Sequence, residues 1–451
     1  MAKGIENIGK QDVAWSYAAT FFTIGAGVIL LPFMLHKLPA ETIGIWTIFQ
    51  TINMLVIMLD FGFRPSFSRN ISYIFSGVKR LKKEGVETAE HDSDVDYALL
   101  NGTLKAMRWF YSRIALLVLL LLGTIGSAYM YYLLGKYTGN RMDIVISWLI
   151  LIFINCYNLY TLYYDVLLTG KGYIRQSQQI NLLGNLIYIT LAIALIYSGL
   201  GLSAIIASQF VSILIRRILS HRVFFNREMK KQLSQAGTMP FEPILKAIYP
   251  NAVKSGLTSV GGFLVNKSAV FIGSIYLPLS LTASLGITTQ VVEVMARCGL
   301  VIYNTYLPKL AQYRVEKNIS LLKKAYIYST LSLVIVFLLG GGGILLLGNT
   351  ILGWISSQTL LLPTAMTALL LFFYLLEFNH VIAAGFIMAD NRIPFFIPSL
   401  ISGAATLVLM LLFVSVFDWG IWGMILAPGL AQLAYQNWEW PSVVIKELRS
   451  N

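Results

Sequence analysis

Twelve long apolar blocks leave this chain few folds to choose from. They begin near Val13, Ile43, Trp109, Ile144, Ile180 and Leu202, then near Tyr249, Leu279, Ala325, Pro363, Phe395 and Trp419. About 20 helical residues cross roughly 30 Å of hydrocarbon. Inside that layer every backbone amide and carbonyl must be bonded within the protein, and apolar blocks of this length joined by short polar loops do so as helices. With 57% hydrophobic and 12% charged residues, the chain also departs from soluble composition, where about 25% is charged. The expected fold is therefore an all-α polytopic membrane protein. The first block, Val13 to Leu35, is longer than a signal-peptide core and no small-residue cleavage site follows it, so a retained first helix is expected.

The net charge of +13 does not require a nucleic acid. Basic residues concentrate in alternate loops: Arg64 to Arg108, Arg216 to Lys246, and the stretch holding Lys309, Arg314 and Lys317. The opposite loops offer Lys37, Lys136 and Arg141. The positive-inside rule accounts for this bias and predicts that both termini are cytoplasmic.

The blocks divide as six, a basic linker, and six. This predicts an N-terminal bundle over residues 1–219, a cytoplasmic linker over 220–246 and a C-terminal bundle over 247–451. An even number of helices per half makes any repeat parallel, with its axis along the membrane normal. Asp60 and Arg64 close helix two at i, i+4, and Glu293 and Arg297 repeat that spacing in helix eight. Trp15 likewise lines up with Lys254 at the start of each half.

Two helices carry polar stripes. On helix seven, Asn251, Lys254, Ser255, Thr258, Gly262 and Asn266 share one face at helical spacing. On helix eight, Gly286, Thr289, Gln290, Glu293, Arg297 and Asn304 do the same. A charge at mid-bilayer costs about 2.5–3.5 kcal/mol even on lenient insertion scales, so such faces are expected to meet protein or a water-filled cavity. Glu293 and Arg297, one turn apart, can pair; helix locking and a role in a cavity wall both remain open for them. Lys267 points away from the stripe of helix seven and reaches a cavity only if Gly261 and Gly262 bend the helix. Arg64 ends helix two as either a snorkelling or a substrate-facing cation. Glu293, Asp60, Glu377 and His380 are the candidates for ion coupling, and an interhelical hydrogen bond is an equally open role for the Glu377–His380 pair. Cys156 and Cys298 lie inside apolar blocks as packing residues. Four scattered histidines and two isolated cysteines give no metal-ligand spacing, and no GxxxxGK[ST] motif occurs. No catalytic set, metal or cofactor is expected.

Four segments carry a family resemblance: LPAETIGIWTIFQTI (Leu38 to Ile52) with LDFGFRPSFSRNI (Leu59 to Ile71), TGKGYIRQSQQINLLGNLI (Thr169 to Ile187), and YLPKLAQYRVEKN (Tyr306 to Asn318). With the six-plus-six plan, the chain resembles the polysaccharide-transport flippases, O-antigen type, of the multidrug/oligosaccharidyl-lipid/polysaccharide exporter superfamily. The resemblance implies two six-helix bundles around a central cavity and alternating access. It also implies transfer of an undecaprenyl-diphosphate-linked glycan from the cytoplasmic to the outer leaflet of a bacterial inner membrane. A monomer acting beside polysaccharide polymerase and glycosyltransferases follows from the same likeness. No fixed residue set carries over from the family.

The residues agree with an anionic, polar cargo. A diphosphate needs cations and donors along its route, and Lys254, Arg297 and Arg64, with Asn251, Thr258, Asn266 and Gln290, are the candidate substrate-binding residues. An ion-coupled multidrug exporter of the same superfamily would need buried carboxylates, whereas the polar faces here lean cationic. A membrane-embedded glycan-processing enzyme would need a larger catalytic segment than the short outer loops provide.

Overall fold

A computed structural model describes residues 29–75, 77–79, 95–237, 239–304, 306, 310, 319–388 and 394–450. The first expected span lies outside them up to position 28, and residues 29–37 are helical. The longer elements are α1 (Ala40–Met58), α3 (Tyr97–Lys136), α4 (Arg141–Tyr160), α6 (Ile174–Tyr197), α7 (Leu202–Phe224), α9 (Phe241–Tyr276), α10 (Leu279–Gly299), α11 (Ile319–Trp354), α12 (Thr364–Met388) and α13 (Phe396–Val416). Shorter helices are α2 (Phe63–Phe75), α5 (Tyr163–Lys171), α8 (Arg227–Gln235), α14 (Ile421–Leu433) and α15 (Gln436–Ser450). Among the described residues there is no strand, and nine helical spans are long and apolar enough to cross a membrane. The protein is an all-α, multi-pass membrane protein.

Several helices begin well before their apolar blocks. Helix three starts at Tyr97 rather than near Trp109, and α9 at Phe241 rather than near Tyr249. Capping explains part of this. Asp96 accepts the Leu99 amide at 2.9 Å, Asn140 accepts the Met142 amide at 3.1 Å, and Asn226 accepts the Met229 amide at 2.8 Å, each satisfying a donor that a helix start leaves open. Asp143, in the first turn of α4, reaches a different helix. Its carboxylate accepts the Leu202 and Ser203 amides at 2.7 and 3.1 Å and so caps α7. Gly172, at φ +87°, closes α5 in the left-handed conformation that glycine adopts without strain.

The described residues form two compact units. One holds residues 29–37 and 52–256, the other 38–51 and 257–450. In the first, α6 packs on α7, α3 on α4, α4 on α7 and α2 on α5. In the second, α10 packs on α11, α11 on α12, α13 on α14 and α12 on α15. There the start of α1 approaches α10 closely: a methyl at Gly44 would sit 2.3 Å from the Leu279 carbonyl oxygen, and one at Gly286 2.2 Å from the Thr47 side chain. Small residues permit such crossings where lipid supplies no hydrophobic drive between helices. Peripheral helices show the opposite character. Only 17% of the apolar window of α3 and of α11 is buried, and leucines 116, 120, 338 and 346 lie exposed on them, as lipid-facing helices require.

Candidate functional site

In the first unit, Asp60 sits buried just past the end of α1. Its Oδ1 accepts the Tyr111 hydroxyl at 2.9 Å and its Oδ2 accepts the Arg64 backbone amide at 2.9 Å. Burial pushes this carboxyl above the ordinary range, opposed by those two hydrogen bonds and the Arg64 charge. The i, i+4 spacing of Asp60 and Arg64 thus works through the backbone. The Arg64 guanidinium, half exposed, turns instead to Asp165, 3.8 Å away.

Asp165 is the hinge of this cluster. Arg217 donates to its Oδ1 at 2.6 Å and, through the other terminal nitrogen, to Asn158 Oδ1 at 2.6 Å. Arg216 turns to α6, donating to Asn185 Oδ1 at 2.8 Å and lying over Gly184, where a methyl would come within 2.1 Å of its Nε. By sequence both arginines open the basic loop Arg216 to Lys246; the structure places them inside α7, which runs on to Phe224. Hydropathy ends the apolar block at the first charge. The helix continues because Asp165, Asn158 and Asn185 supply acceptors that lower the cost of burying charge.

In the second unit, Glu293 of α10 forms its ion pair with Lys267 of α9, not with Arg297. Arg297 is exposed. No break in α9 is needed for this, since the helix continues through Gly261 and Gly262. Gly261 is where α13 packs, 2.4 Å from the Ser399 carbonyl oxygen to an added methyl, while a methyl at Gly262 would meet no described atom. Tyr374 of α12 lies beside Thr289 and Glu293. One turn on, Gln432 donates to Glu377 Oε2 at 2.8 Å, Gln436 donates to Gln432 Oε1 at 2.8 Å, and His380 Nδ1 lies 3.8 Å from Glu377. The Glu377–His380 pair read from the sequence is thus part of a longer polar ladder into α14 and α15.

The other candidates fall as follows. Thr258, Asn266 and Gln290 are partly buried, and Asn266 donates to the Gly262 carbonyl at 3.0 Å. Asn251 and Lys254 lie on α9, but their side chains are outside the described residues, as is Trp15. Cys156 is half-buried and Cys298 exposed. Sequence reasoning missed Arg216, Arg217, Tyr111, Tyr374 and Gln432. A double arginine next to Asp165-type acids in neighbouring helices was the available signal.

Ion pairs largely withdrawn from the surface of helices this apolar fit a multi-pass membrane protein. Its fold is shared with solved membrane proteins. The chain is similar to an inward-facing multidrug resistance MATE family transporter of the MOP superfamily, at TM-score 0.70 and 13% identity over 96% of both chains. It is also similar to the lipid II flippase MurJ in an inward closed conformation, at TM-score 0.61 and 14% identity over 96% of this chain and 87% of that one. No protein-family profile and no curated protein matches the sequence.

Proposed function

We propose that the protein is a flippase that moves an undecaprenyl-diphosphate-linked oligosaccharide, an O-antigen or other surface-polysaccharide repeat unit, from the cytoplasmic to the outer leaflet of a bacterial inner membrane by alternating access. The observation that carries this reading is the charge balance inside the helices. Asp165 and Glu293 are each engaged by a base, Arg217 and Lys267, while among the described residues Arg216 has no carboxylate within ion-pair distance. In the first unit the bases Arg64, Arg216 and Arg217 outnumber the acids Asp60 and Asp165, and an excess of bases there suits an anionic cargo better than a cationic drug. The fold is compatible with either cargo, being shared with a protein named as a lipid II flippase and with one named as a multidrug resistance transporter. In this reading Arg64, Lys254 and Arg297 supply cations along the route of the diphosphate, and Thr258, Asn266 and Gln290 supply polar contacts for sugars. Glu377 and His380, already hydrogen-bonded or adjacent, are the groups proposed to couple an ion. The glycan is made and consumed by glycosyltransferases and a polymerase, and no residue here performs chemistry on it.

The test is reconstitution into vesicles holding a labelled undecaprenyl-diphosphate oligosaccharide. Protein-dependent appearance of the label in the opposite leaflet supports the proposal. Efflux of cationic dyes without any glycan movement overturns it in favour of a drug exporter.

A further inference from the structure

Three buried side chains of the second unit, Trp440, Gln436 and Gln432, run in series into Glu377. Trp440 donates from Nε1 to Gln436 Oε1 at 3.4 Å, Gln436 donates to Gln432 Oε1 at 2.8 Å, and Gln432 donates to Glu377 Oε2 at 2.8 Å. A spacing of four stacks them on one face where α14 hands over to α15. A carboxamide can face either way along such a chain, but an indole nitrogen only donates. Trp440 therefore sets the direction. Its N–H claims the Gln436 oxygen, which turns the Gln436 amide nitrogen to Gln432 and the Gln432 amide nitrogen to Glu377. Phe395 and Tyr435 pack edge-on against the indole, each with its ring centroid 5.9 Å away, and hold it in place.

The direction of the ladder limits what Glu377 can bind. Hard metal cations are held by oxygen ligands, about six or more for magnesium or calcium. Here the Gln432 oxygen is taken by Gln436, and the Gln436 oxygen by Trp440 and, at 3.5 Å, by Ser399. What the ladder turns to the carboxylate is an N–H. Among the described residues no group of three His, Cys, Asp or Glu side chains could hold a metal ion. His380 is the remaining neighbour: its buried Nδ1 lies 3.8 Å from Glu377 Oε2, beyond hydrogen-bond length, and has no partner among the described residues. An unpaired buried nitrogen is costly, and a proton on it would be answered by the carboxylate alongside. From the other elements, Tyr374, one turn before Glu377, lies beside Glu293 of α10, and Lys267 of α9 pairs with that Glu293. Tyr326 of α11 packs on Phe386, and α14 and α15 meet Glu377 with neutral amides.

We propose that Glu377 and His380 form a proton-binding site closed to metal cations, and that Trp440 is the positioning residue that keys it through the amide ladder. Nδ1 of His380 takes a proton from water, and the N–H so formed donates to the Glu377 carboxylate, which already accepts from Gln432. On release of the proton the pair reopens to the 3.8 Å gap. This deepens the ion-coupling role proposed above for the same two residues and rests on it for the use of the proton, not for its binding.

The experiment melts the full chain in nanodiscs from about pH 8 to about pH 5, in sodium and in choline salts of equal ionic strength. A proton held more tightly by the folded pair than by the unfolded chain stabilises as pH falls. The melting temperature of the unaltered protein should therefore gain on that of His380→Gln toward acid pH. Glu377→Gln should erase the same gain and covers the case in which His380→Gln does not fold. Trp440→Phe should lose most of the gain, as should Gln436→Met, which breaks the ladder with the indole intact; a merely structural Trp440 would lower melting equally at every pH. Sodium and choline should give the same curves. An acid gain equal in all these proteins, a full gain in both ladder variants, or stabilisation by sodium that Glu377→Gln removes overturns the proposal. Binding is read without transport, so a protein that shows the acid gain yet flips no glycan overturns the functional proposal and leaves this site standing.

Discussion

Arg217 and Asp165 meet at 2.6 Å and tie α7 to α5, with Asn158 of α4 taking the other terminal nitrogen of the same guanidinium. One arginine thus fastens three helices. Arg217→Ala leaves the partly exposed Asp165 carboxylate with only the looser Arg64 contact and is expected to destabilise the protein by less than the about 3–5 kcal/mol of a fully stranded buried charge. The pair of changes Arg217→Gln with Asp165→Asn should recover most of that loss. Melting in detergent measures both; a double variant no better than Arg217→Ala would refute the ion-pair account.

Lys267 and Glu293 make the corresponding tie between α9 and α10. Glu293→Gln is expected to lower folded yield more than Arg297→Ala, because Lys267 and not the exposed Arg297 loses its partner. Exchange of the two, Lys267→Glu with Glu293→Lys, should restore yield. Fluorescence-detected size exclusion of the three variants gives the comparison, and an Arg297→Ala defect larger than that of Glu293→Gln would contradict it.

Asp143 caps α7 from α4 through the Leu202 and Ser203 amides. Asp143→Ala should cost about 1–2 kcal/mol, the upper part of the range for a lost cap, with Asp143→Asn intermediate. Hydrogen exchange at Leu202 and Ser203 should rise selectively in Asp143→Ala; unchanged protection there would remove the cap from the argument.

Lys254 is the cation of the α9 stripe and is proposed to meet the cargo. Lys254→Ala should leave folded protein in the membrane and impair glycan export, and Lys254→Arg should be milder. Normal export by Lys254→Ala, at matched membrane levels, would take Lys254 out of the route.

Orientation follows from loop charge alone. In a background lacking Cys156 and the exposed Cys298, a cysteine at Lys230 is expected to resist an impermeant thiol reagent in intact cells. Cysteines at Gly139 and Ser357 should react. Labelling of the Lys230 position would reverse the orientation or change the helix count.

The membrane class was legible before any coordinates, because hydropathy over about 20 residues reports a solvent-transfer energy that no partner helix alters. Helices α7 and α10 begin at Leu202 and Leu279, where the apolar blocks put them. The Glu377–His380 neighbourhood was visible as well, since residues three apart on one helix adjoin whatever packs around them. Partner choice was not. Glu293 had Arg297 within reach on its own helix, yet Lys267 on the next helix took it, and Arg216 and Arg217 read as loop because a hydropathy window cannot see Asp165, Asn158 and Asn185 on other helices. Sequence by itself determined that this chain crosses a membrane as helices and which residues carry charge there. Only the tertiary structure decided which charges meet a carboxylate and which, like Arg216 among the described residues, meet a neutral amide, because a charge withdrawn from water is stabilised by atoms a few ångströms away in space, and those atoms come from segments far apart in the chain.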